Sequence, residues 1–84
     1  MQQLTAEERE VLKEKYSDGY RFVARDGDGE VYAHSSKPVK GGLDWDGEGY
    51  YDWISDYVYS DFKFIKWEDN EPYEIEKLLE GGNE

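Results

Sequence analysis

Cysteine is absent from this chain, which excludes both a disulfide framework and a thiolate zinc site. Histidine occurs once, at His34. It has neither a second ligand nor an obvious triad partner, so Ser35 and Ser36 beside it lack a base and are not nucleophile candidates. Basic residues are scarce, with ten Lys and Arg against 21 Asp and Glu and a formal net charge of −11. They form no stripe able to neutralise phosphates, which argues against direct nucleic-acid binding and against anionic membranes. No apolar run approaches the roughly 20 residues of a membrane span, and the N-terminus has no signal-peptide core. The expectation is a cytoplasmic protein, monomeric or a small homo-oligomer, with no cofactor.

Aromatics are what the chain has in abundance: three Trp, eight Tyr and three Phe among 84 residues. A chain of this length is one domain and buries only about 60–65% of its unfolded surface, so bulky rings are an efficient way to build its core. The acid excess has two readings. It serves solubility, or it presents a face to a partner rich in Lys and Arg.

The pattern along the chain predicts an α+β fold, a small antiparallel sheet of three to four strands flanked by N- and C-terminal helices. Thr5 and Glu8 stand at capping-box spacing, and a helix is expected over residues 6–17 with Val11, Leu12 and Tyr16 as its apolar stripe. Alternation over 20–25 and 30–34, around Asp26-Gly27-Asp28-Gly29, predicts a hairpin. A third strand is expected over 39–46, bent at Gly41-Gly42, and another over 62–67 from the alternation of Phe62, Phe64 and Ile65. Pro72 suits the first turn of a closing helix over about 72–80. Residues 50–59 fit a helix by i, i+4 pairing and a strand by their Tyr and Val content. An irregular segment containing a strand is the favoured reading.

One stretch concentrates both features of the composition. Residues 41–62 hold six carboxylates and seven aromatics with no Lys or Arg. Asp44, Asp46, Glu48, Asp52, Asp56 and Asp61 are the expected charged contacts of a partner surface. Tyr50, Tyr51, Tyr57 and Tyr59 are the candidate anchors, since aromatics dominate binding hot spots. With Asp44 as first position, Asp46, Glu48, Gly49 and Asp52 follow calcium-loop spacing, but Ser55 stands where a bidentate Glu is needed and no entering helix precedes it. A metal site is not expected, and a small calcium-binding module is retained only as an alternative. A second acidic run, Glu68, Asp69, Glu71, Glu74 and Glu76, is an equally eligible face by composition.

The segment from Gly19 to Ala33 with Lys37-Pro38 resembles the N-terminal half of small acidic proteins encoded by phages and prophages of Gram-positive bacteria. Phe64-Ile65-Lys66-Trp67-Glu68-Asp69, Glu71-Pro72 and Ile75-Glu76-Lys77-Leu78-Leu79 resemble their C-terminal half. The resemblance covers more than half of the chain and carries over no catalytic residue, since these proteins have no assigned enzymatic activity. The middle, 41–61, has no close counterpart in them. The resemblance implies a non-enzymatic binder of a host protein, with DNA-binding defence machinery such as a CRISPR effector nuclease or restriction enzyme as the target class. The implied mode is occupation of the DNA site by a DNA mimic. The alternative is an accessory or regulatory protein that binds its partner through apolar contacts.

Overall fold

The structure is a computed structural model and describes residues 4–55 and 62–81. Its elements are α1 (Ala6–Ser17), β1 (Phe22–Arg25), β2 (Val31–His34), β3 (Val39–Lys40), β4 (Trp45–Asp46), β5 (Tyr51–Trp53), β6 (Tyr73–Glu74) and α2 (Ile75–Gly81). The class is α+β, as the pattern predicts. A four-stranded antiparallel sheet runs β5-β2-β1-β6, and β3 and β4 form a separate two-stranded sheet.

The first helix begins where its cap places it. Thr5 Oγ1 accepts the Glu8 N–H at 3.1 Å, and Glu8 Oε1 accepts the Thr5 N–H at 3.1 Å, so two of the orphan donors at the helix start are satisfied reciprocally. The helix buries Leu12 against one face of the sheet, where Val23, Val31 and Ala33 meet Ile54, Phe62, Ile65 and Ile75. Each of these side chains larger than Ala33 contributes about 1.5–3 kcal/mol on leaving water. Arg9 Nη1 donates to the Leu79 carbonyl at 2.9 Å, tying α1 to the end of α2, where free carbonyls and the helix dipole favour a cation.

Three expectations are corrected. The strand expected over 39–46 is two strands. Gly41 N–H donates to the Asp44 carbonyl at 2.7 Å, and the chain folds back so that Lys40 pairs with Trp45 and Val39 with Asp46. A Cβ at Gly41 would lie 3.1 Å from the Asp44 carbonyl oxygen, so glycine suits this reversal. The strand expected over 62–67 is a turn, with Ile65 N–H donating to the Phe62 carbonyl at 3.0 Å. Its two buried residues, Phe62 and Ile65, are three apart, and its backbone groups are met by side chains. Glu8 Oε2 accepts the Phe62 N–H at 2.8 Å, and Arg25 donates to the carbonyls of Phe62 and Ile65 at 2.9 and 2.5 Å. These contacts hold Phe62 at φ 53°, a left-handed conformation costing an L residue roughly 1–2 kcal/mol. The last element is shorter than expected. Pro72 leads into strand β6, where Tyr73 pairs with Val23 and Glu74 with Phe22, and the helix starts only at Ile75.

Candidate acidic and aromatic binding surface

The predicted surface is built by the 41–53 segment, and it is pinned to the sheet from behind. Trp45 is the anchor. It is buried, its N–H donates to Asp26 Oδ1 at 3.1 Å, and its indole Nε1 donates to the Arg25 carbonyl at 3.0 Å. Gly27 N–H donates to the Leu43 carbonyl at 2.7 Å, an approach that needs glycine because a Cβ there would lie 2.9 Å from the Leu43 oxygen. The β3–β4 hairpin therefore rests on the turn of the β1–β2 hairpin. Lys40 is withdrawn behind it, with its ammonium over the Trp67 ring at 4.5 Å and a bond to the Asp69 carbonyl at 2.9 Å.

The two serines that precede β3 are structural. Ser36 Oγ accepts the Gly49 N–H at 3.1 Å, and Ser35 Oγ accepts the Tyr50 N–H at 3.0 Å. Gly49 has no room for a side chain, since a Cβ there would lie 2.0 Å from Ser35 Oγ. These bonds steer the chain into β5, at the edge of the main sheet.

Strand alternation then divides the expected site. Tyr51 and Trp53 point to the outer face of the sheet, away from the helices, while Asp52 lies opposite Ala33 on the helix-covered face. There Asp52 forms an ion pair with Lys15, whose side chain is only 11% exposed. This placement takes Asp52 away from the calcium-loop arrangement. Among the described residues, no group of three or more His, Cys, Asp and Glu is placed to hold a metal ion.

Asp44, Asp46 and Glu48 are exposed, and none of the ion pairs among the described residues involves them. Tyr50 and Tyr51 stand beside them, 57% and 65% exposed. Each is held at one edge: Tyr50 packs on Tyr20 with ring centroids 5.1 Å apart, and Tyr51 on Tyr32 at 5.8 Å. Rings held in this way present a face to solvent at little further cost in side-chain entropy. The remaining predicted residues, Asp56, Tyr57, Tyr59 and Asp61, lie outside the described residues.

Sequence reasoning passed over several participants. Trp53 is 42% exposed, and its Nε1 donates to Glu30 Oε1 and to Ser55 Oγ, both at 2.7 Å. Leu43 and Val39 are 80% and 70% exposed on the hairpin. Asp26 and His34 are the larger omission. With Asp44, Asp46 and aromatic walls from Tyr32 and Tyr51, they line a partly enclosed cavity of about 160 Å³. Burial raises the Asp26 pKa above the ordinary carboxylate value; the Trp45 N–H opposes this shift, and Asp44 and Asp28 reinforce it. Burial lowers the His34 pKa, against the pull of Asp46. His34 is 4% exposed, and its Nε2 has no hydrogen-bond partner among the described residues. The signal for Asp26 lay in the hairpin turn, but nothing local in the sequence announces that Trp45 returns to it.

The chain matches no family model, no curated protein and no solved structure.

Proposed function

We propose that this is a non-enzymatic, phage-encoded inhibitor. Its acidic, aromatic surface occupies the DNA site of a host DNA-binding defence protein, such as a CRISPR effector nuclease or restriction enzyme. The observation that carries this reading is the state of three carboxylates. Asp44, Asp46 and Glu48 are exposed and free of any ion pair among the described residues, beside the exposed rings of Tyr50 and Tyr51. DNA sites are lined with Lys and Arg, because the duplex carries about one negative charge per 1.7 Å of axis. Carboxylates on a pinned hairpin offer comparable charge without the deformation that DNA itself undergoes on binding.

The test is capture from a Gram-positive host lysate. The baits are the native protein and a variant with Asp44→Asn, Asp46→Asn and Glu48→Gln. The expected result is a DNA-binding protein on the native bait alone, displaced by added duplex DNA. Capture of the same partner by both baits, or no displacement by DNA, overturns the reading.

A second reading has its own support. Leu43 and Val39 on the β3–β4 hairpin and Trp53 on β5 put exposed apolar surface near the acidic segment, which favours an accessory protein bound through apolar contact. In that case the interaction is insensitive to salt and survives neutralisation of the three carboxylates.

A further inference from the structure

The cavity behind the hairpin has a lining that selects its occupant. Three of its residues are carboxylates, Asp26, Asp44 and Asp46, so an anion is excluded. The described residues hold no cluster placed to bind a metal. Its volume of about 160 Å³ is well below the roughly 300–1,000 Å³ of small-molecule pockets, but it suits the end of one side chain. Tyr32 and Tyr51 supply ring surface, and Asp26 Oδ1 accepts the Trp45 N–H, leaving its other oxygen as an acceptor. His34 gives the independent sign of a missing ligand. It lines the cavity, is 4% exposed, and its Nε2 has no hydrogen-bond partner among the described residues. Buried polar atoms without partners are uncommon in folded proteins and call for an explanation.

We propose that this cavity is a receptor for the guanidinium group of an arginine side chain on a protein partner. The proposal rests on the reading of the acidic face as a surface for a basic protein, and it names the residue that face takes in. A guanidinium is planar, stacks on aromatic rings, bridges two acceptors with parallel donors and is less strongly hydrated than an ammonium. Carboxylates spaced too widely to converge on a metal ion still meet its five separate N–H donors. An N–H seated beside His34 supplies the partner that Nε2 lacks.

The experiment uses the whole chain, with amide NMR titration by three short peptides that differ at one position: arginine, lysine and uncharged citrulline. The expected result is saturable shifts at Asp26, Ala33, His34 and Trp45 with the arginine peptide, about tenfold weaker binding of the lysine peptide, and none of the citrulline peptide. Asp44→Asn with Asp46→Asn should weaken arginine binding at least about tenfold. Tyr51→Ala, a change at an exposed ring, should also weaken it, whereas Glu14→Gln, exposed on α1 and outside the cavity, should not. Unchanged melting temperatures show that these variants fold. Equal binding of lysine and arginine, or arginine shifts that persist in the double Asp variant, overturns the proposal. If the arginine peptide leaves the cavity unperturbed while lysate capture still requires the acidic face, the receptor is wrong and the acidic-face reading stands. If both fail, both fall.

Discussion

Two acidic runs in this chain look interchangeable by composition, and the structure separates them. In residues 68–76, most carboxylates have partners within the fold. Asp69 Oδ2 accepts the Lys66 N–H and the Tyr73 hydroxyl, both at 3.0 Å. Glu71 pairs with Lys37 at 3.3 Å, Glu74 with Lys77 at 3.6 Å, and Glu76 accepts from the Tyr16 hydroxyl at 3.4 Å. In the hairpin run, Asp44, Asp46 and Glu48 face solvent with no such cation among the described residues. Net charge therefore does not distinguish the two runs, whereas pairing within the fold does. Glu8 marks the opposite extreme: it is 2% exposed and accepts two backbone N–H groups.

The comparison predicts a graded series of stabilities, checked by urea denaturation. Glu8→Ala should have the largest effect. It removes half of the capping box and leaves the buried Phe62 N–H unpaired, a loss of about 2–4 kcal/mol. Glu8→Gln keeps an acceptor and should lose less. Asp69→Ala, which opens the Lys66 turn and removes one acceptor from the Tyr73 hydroxyl, should cost about 1 kcal/mol. A loss as large as that of Glu8→Ala would break the distinction between a carboxylate that holds the core and one that trims a turn.

Acid should expose the hairpin's underside next. Burial keeps the His34 pKa below its ordinary value, so the unfolded chain takes up a proton that the folded chain resists. Stability is complete above about pH 6.5 and declines as pH falls towards the lowered folded value. Asp26 acts with the opposite sign. Its pKa is raised by burial, so protonation favours the folded state in the window just above the ordinary carboxylate value. Between about pH 7.5 and pH 5.5 the His34 contribution applies. The native melting temperature should drop more over that interval than that of His34→Gln, and equal drops would contradict the burial of His34.

The smallest effect on stability belongs to the hairpin. Asp44→Asn, Asp46→Asn and Glu48→Gln together should change it by less than about 0.5 kcal/mol per site, with a slight gain from relieved self-repulsion.

How much of this was legible in the sequence follows from whether the relevant signals are local. The capping box of Thr5 and Glu8 and the turn at Asp26 to Gly29 depend on neighbours, and both were read correctly. So was the α+β class. The Phe62 to Ile65 turn was misread as a strand because its support comes from Glu8 and Arg25, 54 and 37 residues away in sequence. Strand β6 was missed because two residues carry no period, and its pairing with β1 is a long-range fact. Asp44, Asp46, Glu48, Tyr50 and Tyr51, expected as contacts of a partner surface, face solvent in the fold. Asp52 was grouped with them because composition ignores which face of a strand a residue occupies, and the cavity lined by Asp26 and His34 needed Trp45 to fold back on the Asp26 turn.

The most direct test of the central claim is the affinity for the captured DNA-binding partner as salt rises from about 50 to 200 mM. It should be measured for the native chain and for the variant neutralised at Asp44, Asp46 and Glu48. The native affinity should fall steeply over that range, and the variant should bind weakly with a shallow salt dependence. Two parallel curves of equal affinity would contradict the account, because the three unpaired carboxylates would then take no part in the interface.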